Sequence, residues 1–215
     1  MIKKLKVLEL FAGTRCISQA FERKGHKCFT VEWSKKFENI SLYEDINNLT
    51  PEKVYALCGG KPDVIWASPD CASYSVAALY RHREAPNYLP KSDYARFCDK
   101  TNTHLIKLIK EVNPKLFFIE NPRGVMRKMP FMEGLPRYTV TYCQYGDIRM
   151  KPTDIWTNHP NPNFRPACKP GMPCHIPAPR GAKTGTQYLP NSRERSKIPD
   201  ELCDYIVKIS EDYLC

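Results

Sequence analysis

The chain has 215 residues, enough to bury one sizeable core but hardly two, so a single domain over 1–215 is expected. Its 33 Lys+Arg against 23 Asp+Glu leave a formal net charge of +10, which suits a polyanionic partner, nucleic acid first. No signal-peptide pattern and no run of eighteen apolar residues is present, so the expectation is a cytoplasmic protein without a membrane span, its ten cysteines being reduced thiols, catalytic groups or metal ligands.

In chain order, residues 5–10 (Leu-Lys-Val-Leu-Glu-Leu) read as a strand, Phe11-Ala12-Gly13-Thr14 as a turn, and residues 17–24 as a helix that Gly25 ends. Residues 28–31 form a second strand stopping at Glu32, residues 41–43 before Glu44-Asp45 a third, and residues 63–67 a fourth that ends in Ser68-Pro69-Asp70-Cys71. Leu105, Ile106, Ile109 and Val112 recur at helical spacing and predict a helix over 94–112. An all-apolar strand at 116–119 then runs into Glu120-Asn121-Pro122, and residues 138–143 are β-rich. Short buried strands alternating with helices predict an α/β fold, a Rossmann-like, doubly wound and mostly parallel sheet whose ligands bind at the carboxyl ends of the strands. Every polar cluster just named lies at such an end.

Composition changes after Trp156. Residues 157–192 hold eight of the 19 prolines and almost no periodic apolar pattern, so 157–197 is expected to be a short, irregular, proline-rich insert. A last helix over 200–213 follows Ile198-Pro199, with Leu202, Ile206 and Ile209 on one face.

The turn Phe11-Ala12-Gly13, between a strand and a helix, brings backbone close to a ligand at a helix N-terminus. Glu32 at the end of the second strand is placed to accept hydrogen bonds from a ribose diol, and Asp45 after the third to read an adenine amino group. Together they suit an adenosine-containing cofactor, whereas either one alone reads equally as a solvated acid at a strand end. Cys71 is a thiol at a strand terminus beside a proline-stiffened turn, where it is either a nucleophile or a packing residue. Glu120, at the end of a later strand, favours the first reading. Addition of sulfur to C6 of a pyrimidine is easier when N3 is protonated or hydrogen-bonded, and a carboxyl group beside the thiol supplies that.

The order of these segments resembles the DNA (cytosine-5-)-methyltransferase family over nearly the whole chain. Phe11-Ala12-Gly13 looks like its cofactor loop, Glu32 its ribose carboxylate, Asp45 its adenine contact, Ser68-Pro69-Asp70-Cys71 its Pro-Cys nucleophile loop, and Phe118-Ile119-Glu120-Asn121 its Glu-Asn motif. Tyr145-Gly146 with Arg149, Lys151 and Thr153 is similar to its basic strand, and Ser196-Lys197-Ile198-Pro199 plus helix to its closing motif. The resemblance implies the class I S-adenosylmethionine-dependent methyltransferase fold and methyl transfer from S-adenosylmethionine to C5 of cytosine in DNA through a covalent Cys71–C6 adduct. It gives Cys71, Glu120, Asn121, Arg149 and Lys151 as catalytic residues. Glu120 grips the base, Arg149 and Lys151 offset charge on the base or its phosphate, and Asn121 either orients the Cys71 loop or merely forms a turn before Pro122. The implied cofactor set is Phe11, Ala12, Gly13, Thr14, Glu32, Trp33, Asp45, Ile46, Ser68 and Pro69. A setting in a restriction-modification system or a phage is likewise implied.

Four departures from the family pattern stand out. Arg15 and Cys16 replace glycines of the cofactor loop, Asp70 replaces a proline, Pro122 follows Glu120-Asn121, and Lys151 and Thr153 replace arginines. The large recognition domain of the family is reduced to the insert, so the chain resembles a compact form. Within the insert, His159, Cys168, Cys174 and His175 offer the two nitrogens and two sulfurs of a tetrahedral zinc site, against the alternative of a proline-rich loop with free thiols. Two rivals remain at this level. One is an amino-methyltransferase acting on adenine N6 or cytosine N4, in which Glu120 would have no task; the other is a non-catalytic DNA-binding relic.

Overall fold

The computed structural model describes residues 3–177, 189 and 191–215. Three strands open the chain: β1 (Lys6–Leu10), β2 (Lys27–Glu32) and β3 (Leu42–Tyr43), with helix α1 (Cys16–Arg23) between the first two. Helix α2 (Pro51–Cys58) leads to β4 (Val64–Ala67). A 3₁₀ turn at Ala72–Tyr74, the short helix α3 (Leu79–His82) and a small hairpin, β5 (Arg83–Glu84) with β6 (Leu89–Pro90), precede the long helix α4 (Asp93–Val112). Then come β7 (Leu116–Pro122), β8 (Arg137–Thr141), a 3₁₀ turn at Tyr142–Tyr145, β9 (Pro152–Thr157), α5 (Ser192–Ser196) and α6 (Asp200–Leu214).

Seven strands form one sheet in the order β3-β2-β1-β4-β7-β9-β8. The pairs from β3 to β7 are parallel; β9 runs antiparallel to both β7 and β8 and is the one reversed strand. The direction of winding switches between β1 and β4, which opens a crevice beyond their carboxyl ends. Phe11 leaves one of those ends and Ser68 the other.

Both faces of the sheet are covered, which is why the central strands read as apolar runs. Leu8, Leu10, Ile65, Ala67 and Ile119 face α2 and α4, while Leu5, Val7, Val64, Trp66 and Phe118 face α1 and α6. Successive residues thus go to opposite layers, as strand pleating requires. Helix α4 starts at Ser92, whose hydroxyl accepts from the Ala95 amide at 3.1 Å, and stops at Asn113 in the left-handed region. No helix among the described residues is long and apolar enough to cross a membrane.

The β-rich reading of 138–143 holds as far as Thr141, after which the chain turns through a 3₁₀ segment. Helix α2 and the β5–β6 hairpin are additions to the sequence-based elements, while the basic strand expected around Arg149, Lys151 and Thr153 starts at Pro152, as the reversed strand β9.

Candidate active site

The crevice at the switch point is lined by Phe11, Glu32, Trp33, Asp45, Ile46 and Pro69, which are sequence-assigned cofactor residues. Its opposite wall is Asp70 with Tyr94, Phe97, Cys98, Thr101 and Asn102 of α4, a wall the sequence reading missed. Those helical residues fall at i, i+3, i+4, i+7 and i+8, beside the apolar stripe that identified the helix. Trp33 is 69% exposed at the rim, an aromatic plane on which a flat ring can stack.

Glu32 is buried and holds the first loop: its Oε2 accepts from the Gly13 amide at 3.1 Å and its Oε1 from the Ser34 amide at 2.9 Å. Each carboxylate oxygen keeps further acceptor capacity, which a vicinal diol can use. Asp45 Oδ1 accepts from the Asn47 amide at 2.8 Å and caps the 3₁₀ turn at Ile46–Asn48. Ala12, Gly13 and Thr14 shape the loop without lining the crevice, the Ala12 amide reaching the Val31 carbonyl at 3.1 Å. Ser68 turns away from the crevice and accepts from Trp66 Nε1 at 2.7 Å.

Arg15 stands at φ 60°, ψ 31°, in the left-handed region, and has no side-chain cap to offer α1. Glycine is the residue with no penalty there, so this position keeps the backbone of the glycine that the family pattern places at it. The missing cap comes from the strand below. Buried Glu9 accepts from the amide of Ser18, the third residue of α1, at 2.8 Å.

Across the switch point, Cys71 sits just before the Ala72–Tyr74 turn, its carbonyl accepting from the Tyr74 amide at 3.1 Å. Several contacts fix this loop. Asn121 donates Nδ2 to the Pro69 carbonyl at 2.9 Å, and Asp70 Oδ1 accepts from the Ala72 amide at 2.7 Å. Behind it, buried Arg83 donates Nε to the Ser73 carbonyl at 2.9 Å, pairs with Asp99 at 2.7 Å and lies over the Tyr74 ring, 4.3 Å from its centroid. Gly124 completes the packing, since a Cβ there would meet the Tyr74 carbonyl oxygen at 2.3 Å.

Burial pushes the Cys71 thiol up to about 11; the charges of Asp70 and Glu120 push the same way, and Lys151 opposes them. Glu120 is raised above the ordinary carboxyl range by burial, against the pull of Lys151 and the Tyr142 and Ser68 hydroxyls. Tyr142, absent from the sequence-assigned set, donates its hydroxyl to Glu120 Oε1 at 3.1 Å. Lys151 is lowered by burial; it lies 4.4 Å from the Tyr142 ring centroid, at the strained φ of 27°, and donates to the Arg195 carbonyl at 2.9 Å. Arg149 is buried and paired with Asp147 on both carboxylate oxygens, and it also donates to the Arg195 carbonyl at 3.2 Å. Its guanidinium is therefore committed inside the protein, while Lys151 is the cation whose field reaches both Cys71 and Glu120.

The metal-ligand set of the sequence reading needs one correction. Cys168, Cys174 and His175 do meet, but their fourth member is Cys143 rather than His159, and the four ligand atoms lie within 4.8 Å of one another. His159 is buried elsewhere, with Nε2 on the Ile209 carbonyl at 3.2 Å and Nδ1 accepting from the Asn161 amide at 3.2 Å. Both ring nitrogens are thereby taken.

Residues 5–130, more than half of the chain, match the family model described as C-5 cytosine-specific DNA methylase. The chain is 28% identical over 162 residues to the frog virus 3 (isolate Goorha) protein named "Probable DNA (cytosine-5)-methyltransferase", covering 72% of this chain and 71% of that one. It is 25% identical over 133 residues to the type II methyltransferase M.FnuDI of Fusobacterium nucleatum, covering 58% of this chain and 34% of the relative. The crystal structure of the S. pombe Dnmt2 methyltransferase superposes with a TM-score of 0.51 at 15% identity, over 72% of this chain and 49% of that one, a likeness of fold alone.

Proposed function

Because the chain belongs to the C-5 cytosine-specific DNA methylase family, we propose that it transfers a methyl group from S-adenosylmethionine to C5 of cytosine in DNA, with Cys71 as nucleophile. The observation that carries this reading is the 2.9 Å bond from Asn121, which follows Glu120 on β7, to the Pro69 carbonyl of the loop after β4, because it brings the strand end of Glu120 to the loop of Cys71. The adjoining crevice fits the cofactor. Aromatic Phe11 and Trp33 line it together with the carboxylates of Glu32 and Asp45, the stacking and acceptor set an adenosine needs.

Bound S-adenosylmethionine supplies an electrophilic methyl group. The target base lies inside a stacked duplex and must be flipped out to reach the crevice. Glu120, whose burial favours its protonated form, hydrogen-bonds N3 of that base and accepts from its exocyclic amine. Protonation at N3 draws electron density from C6, where the Cys71 sulfur adds. The resulting nucleophilic C5 takes the methyl group, and loss of the C5 proton with expulsion of sulfur restores the ring. Cys71 must shed its own proton first, and Lys151 is the group whose field favours the thiolate. Asn121 and Arg83 hold the thiol loop while this happens. The basic surplus of +10 favours a DNA partner.

DNA carrying 5-fluorocytosine tests the assignment, because fluorine cannot leave as a cation at the elimination step. A covalent protein–DNA complex is expected on a denaturing gel with the cofactor present, and none with Cys71→Ser. An adduct that persists in the serine variant places the nucleophile elsewhere.

A further inference from the structure

The insert begins by folding back onto the edge of the sheet. The Arg165 amide donates to the Tyr145 hydroxyl at 2.9 Å, the Cys168 amide to Thr141 Oγ1 at 2.8 Å, and the Ile176 amide to the Ile148 carbonyl at 2.9 Å. Between these anchors Cys168, Cys174 and His175 come up against Cys143, which belongs to the Tyr142–Tyr145 turn. We propose that Cys143, Cys168, Cys174 and His175 bind one zinc ion, with three sulfurs and His175 Nδ1 as its complete ligand set.

Three of the ligand–ligand distances match the edges of a tetrahedron. Zn–S bonds of about 2.3 Å and Zn–N bonds of about 2.0–2.1 Å give ligand–ligand edges of about 3.8 Å between sulfurs and about 3.6 Å between sulfur and nitrogen. Here Cys174 Sγ lies 3.7 Å from Cys143 Sγ, and His175 Nδ1 lies 3.5 Å from Cys168 Sγ and 3.7 Å from Cys174 Sγ. The Cys168–Cys174 pair, at 3.1 Å, is tighter than that edge but well outside the roughly 2.05 Å of a disulfide. Three sulfurs and an imidazole select a soft or borderline ion over calcium or magnesium, and four protein ligands leave no open position, as in structural zinc sites. On binding, each of the three thiols releases its proton to solvent, and His175 keeps its proton on Nε2.

The consequence reaches the active site through one peptide bond. Cys143 follows Tyr142, whose hydroxyl is on Glu120. The ion would tie the start of the insert to the turn that positions this hydroxyl, while the cofactor crevice shares none of its ligands. Zinc is thus a clamp between the insert and the base-gripping carboxyl group.

The test measures metal and does not depend on methylation. The full chain, expressed with zinc and purified under reducing conditions, is expected to carry about one zinc per chain by elemental mass spectrometry. Cys143→Ser and Cys174→Ser should fall to near zero, and His159→Gln should keep its zinc. As a cysteine variant can fail to fold, the wild-type protein is also exchanged with cobalt(II), whose thiolate charge-transfer bands and strong tetrahedral visible bands are expected. Reduced protein that takes up neither ion overturns the proposal, as does zinc that survives both serine substitutions, or a Cys168–Cys174 disulfide found by peptide mapping. Full zinc in a protein that forms no adduct with 5-fluorocytosine would overturn the methyltransferase reading and leave the metal site standing.

Discussion

Asn121 Nδ2 donates to the Pro69 carbonyl at 2.9 Å, so the strand end that carries Glu120 holds the turn that carries Cys71. Asn121 is fully buried and makes this bond across 52 positions of sequence, the register in which β7 lies beside β4. The predicted consequence of Asn121→Ala is a loosened thiol loop. Methyl transfer should fall about 10²-fold, the scale set by misplacing a reacting group by about 1 Å, while the cofactor dissociation constant stays within about twofold. Single-turnover methylation and titration calorimetry separate the two quantities. Unchanged turnover would reduce Asn121 to a residue that turns the chain before Pro122.

The ionisation of Cys71 gives a second prediction. With its thiol pushed up to about 11, the free enzyme holds little thiolate at neutral pH, so kcat/KM should climb with pH for as long as Glu120 keeps the proton it gives to N3. Asp70 contributes to the upward push after burial, and Asp70→Asn removes its charge while keeping an acceptor for the Ala72 amide. Because Asp70 is exposed and its field is screened, the expected gain is modest, about threefold to tenfold in kcat/KM at pH 7.5, with the rising limb displaced to lower pH. Superimposable pH profiles for the two proteins would remove Asp70 from control of the thiol.

Glu9 makes stability depend on pH. Burial raises it from 4.5 to about 7, so the folded chain holds a proton that the unfolded chain has released between those values. The stability is fully present below pH 4.5 and is lost as pH rises through about 7, to a ceiling of about 3 kcal/mol from this one group. Glu120, also raised by burial, acts in the same direction. Glu9→Gln retains an acceptor for the Ser18 amide and has nothing to ionise, so its melting temperature should fall less than that of the wild-type protein between pH 5 and pH 8. Parallel curves would show that Glu9 keeps an ordinary pKa in the fold.

What could be read from the sequence follows from what each signal needs. Val64-Ile65-Trp66-Ala67 and Leu116 to Ile119 are strands buried on both faces, and continuous apolar runs betray them. Helix α2 also carried its markers, Thr50-Pro51 at the start and Gly59 at φ 59° at the end, but eight residues with Val54 and Cys58 as the buried positions give a weak period. In the site, Glu32, Asp45, Cys71 and Glu120 were legible because each sits at the end of a strand. Tyr142 on Glu120 and Arg83 on Asp99 were not, since sheet order and loop packing join them, not spacing along the chain. Cys143 lost its place to His159 for the same reason: it precedes the insert, and its tie to Cys174 spans 31 positions.

The last prediction concerns target choice. Base-edge contacts discriminate, each good bidentate pair being worth about 1–3 kcal/mol, whereas phosphate contacts give affinity without sequence information. The insert, residues 157–197, is short, and several of its described residues anchor it to the rest of the fold. The Tyr205 hydroxyl donates to the Pro162 carbonyl at 2.9 Å, Phe164 packs on Tyr138 and Tyr205, Arg165 pairs with Glu201 at 2.7 Å, and Cys168 to His175 close on Cys143. Positive charge, at +10, is ample. A relaxed target of about two to four base pairs is therefore expected, with binding that weakens steeply as salt rises. Bisulfite sequencing of methylated plasmid reads the first quantity and affinity across a salt series the second. Modification confined to one site of six or more base pairs, with affinity indifferent to salt, would show that the insert reads base edges far more fully than its anchoring to the sheet allows.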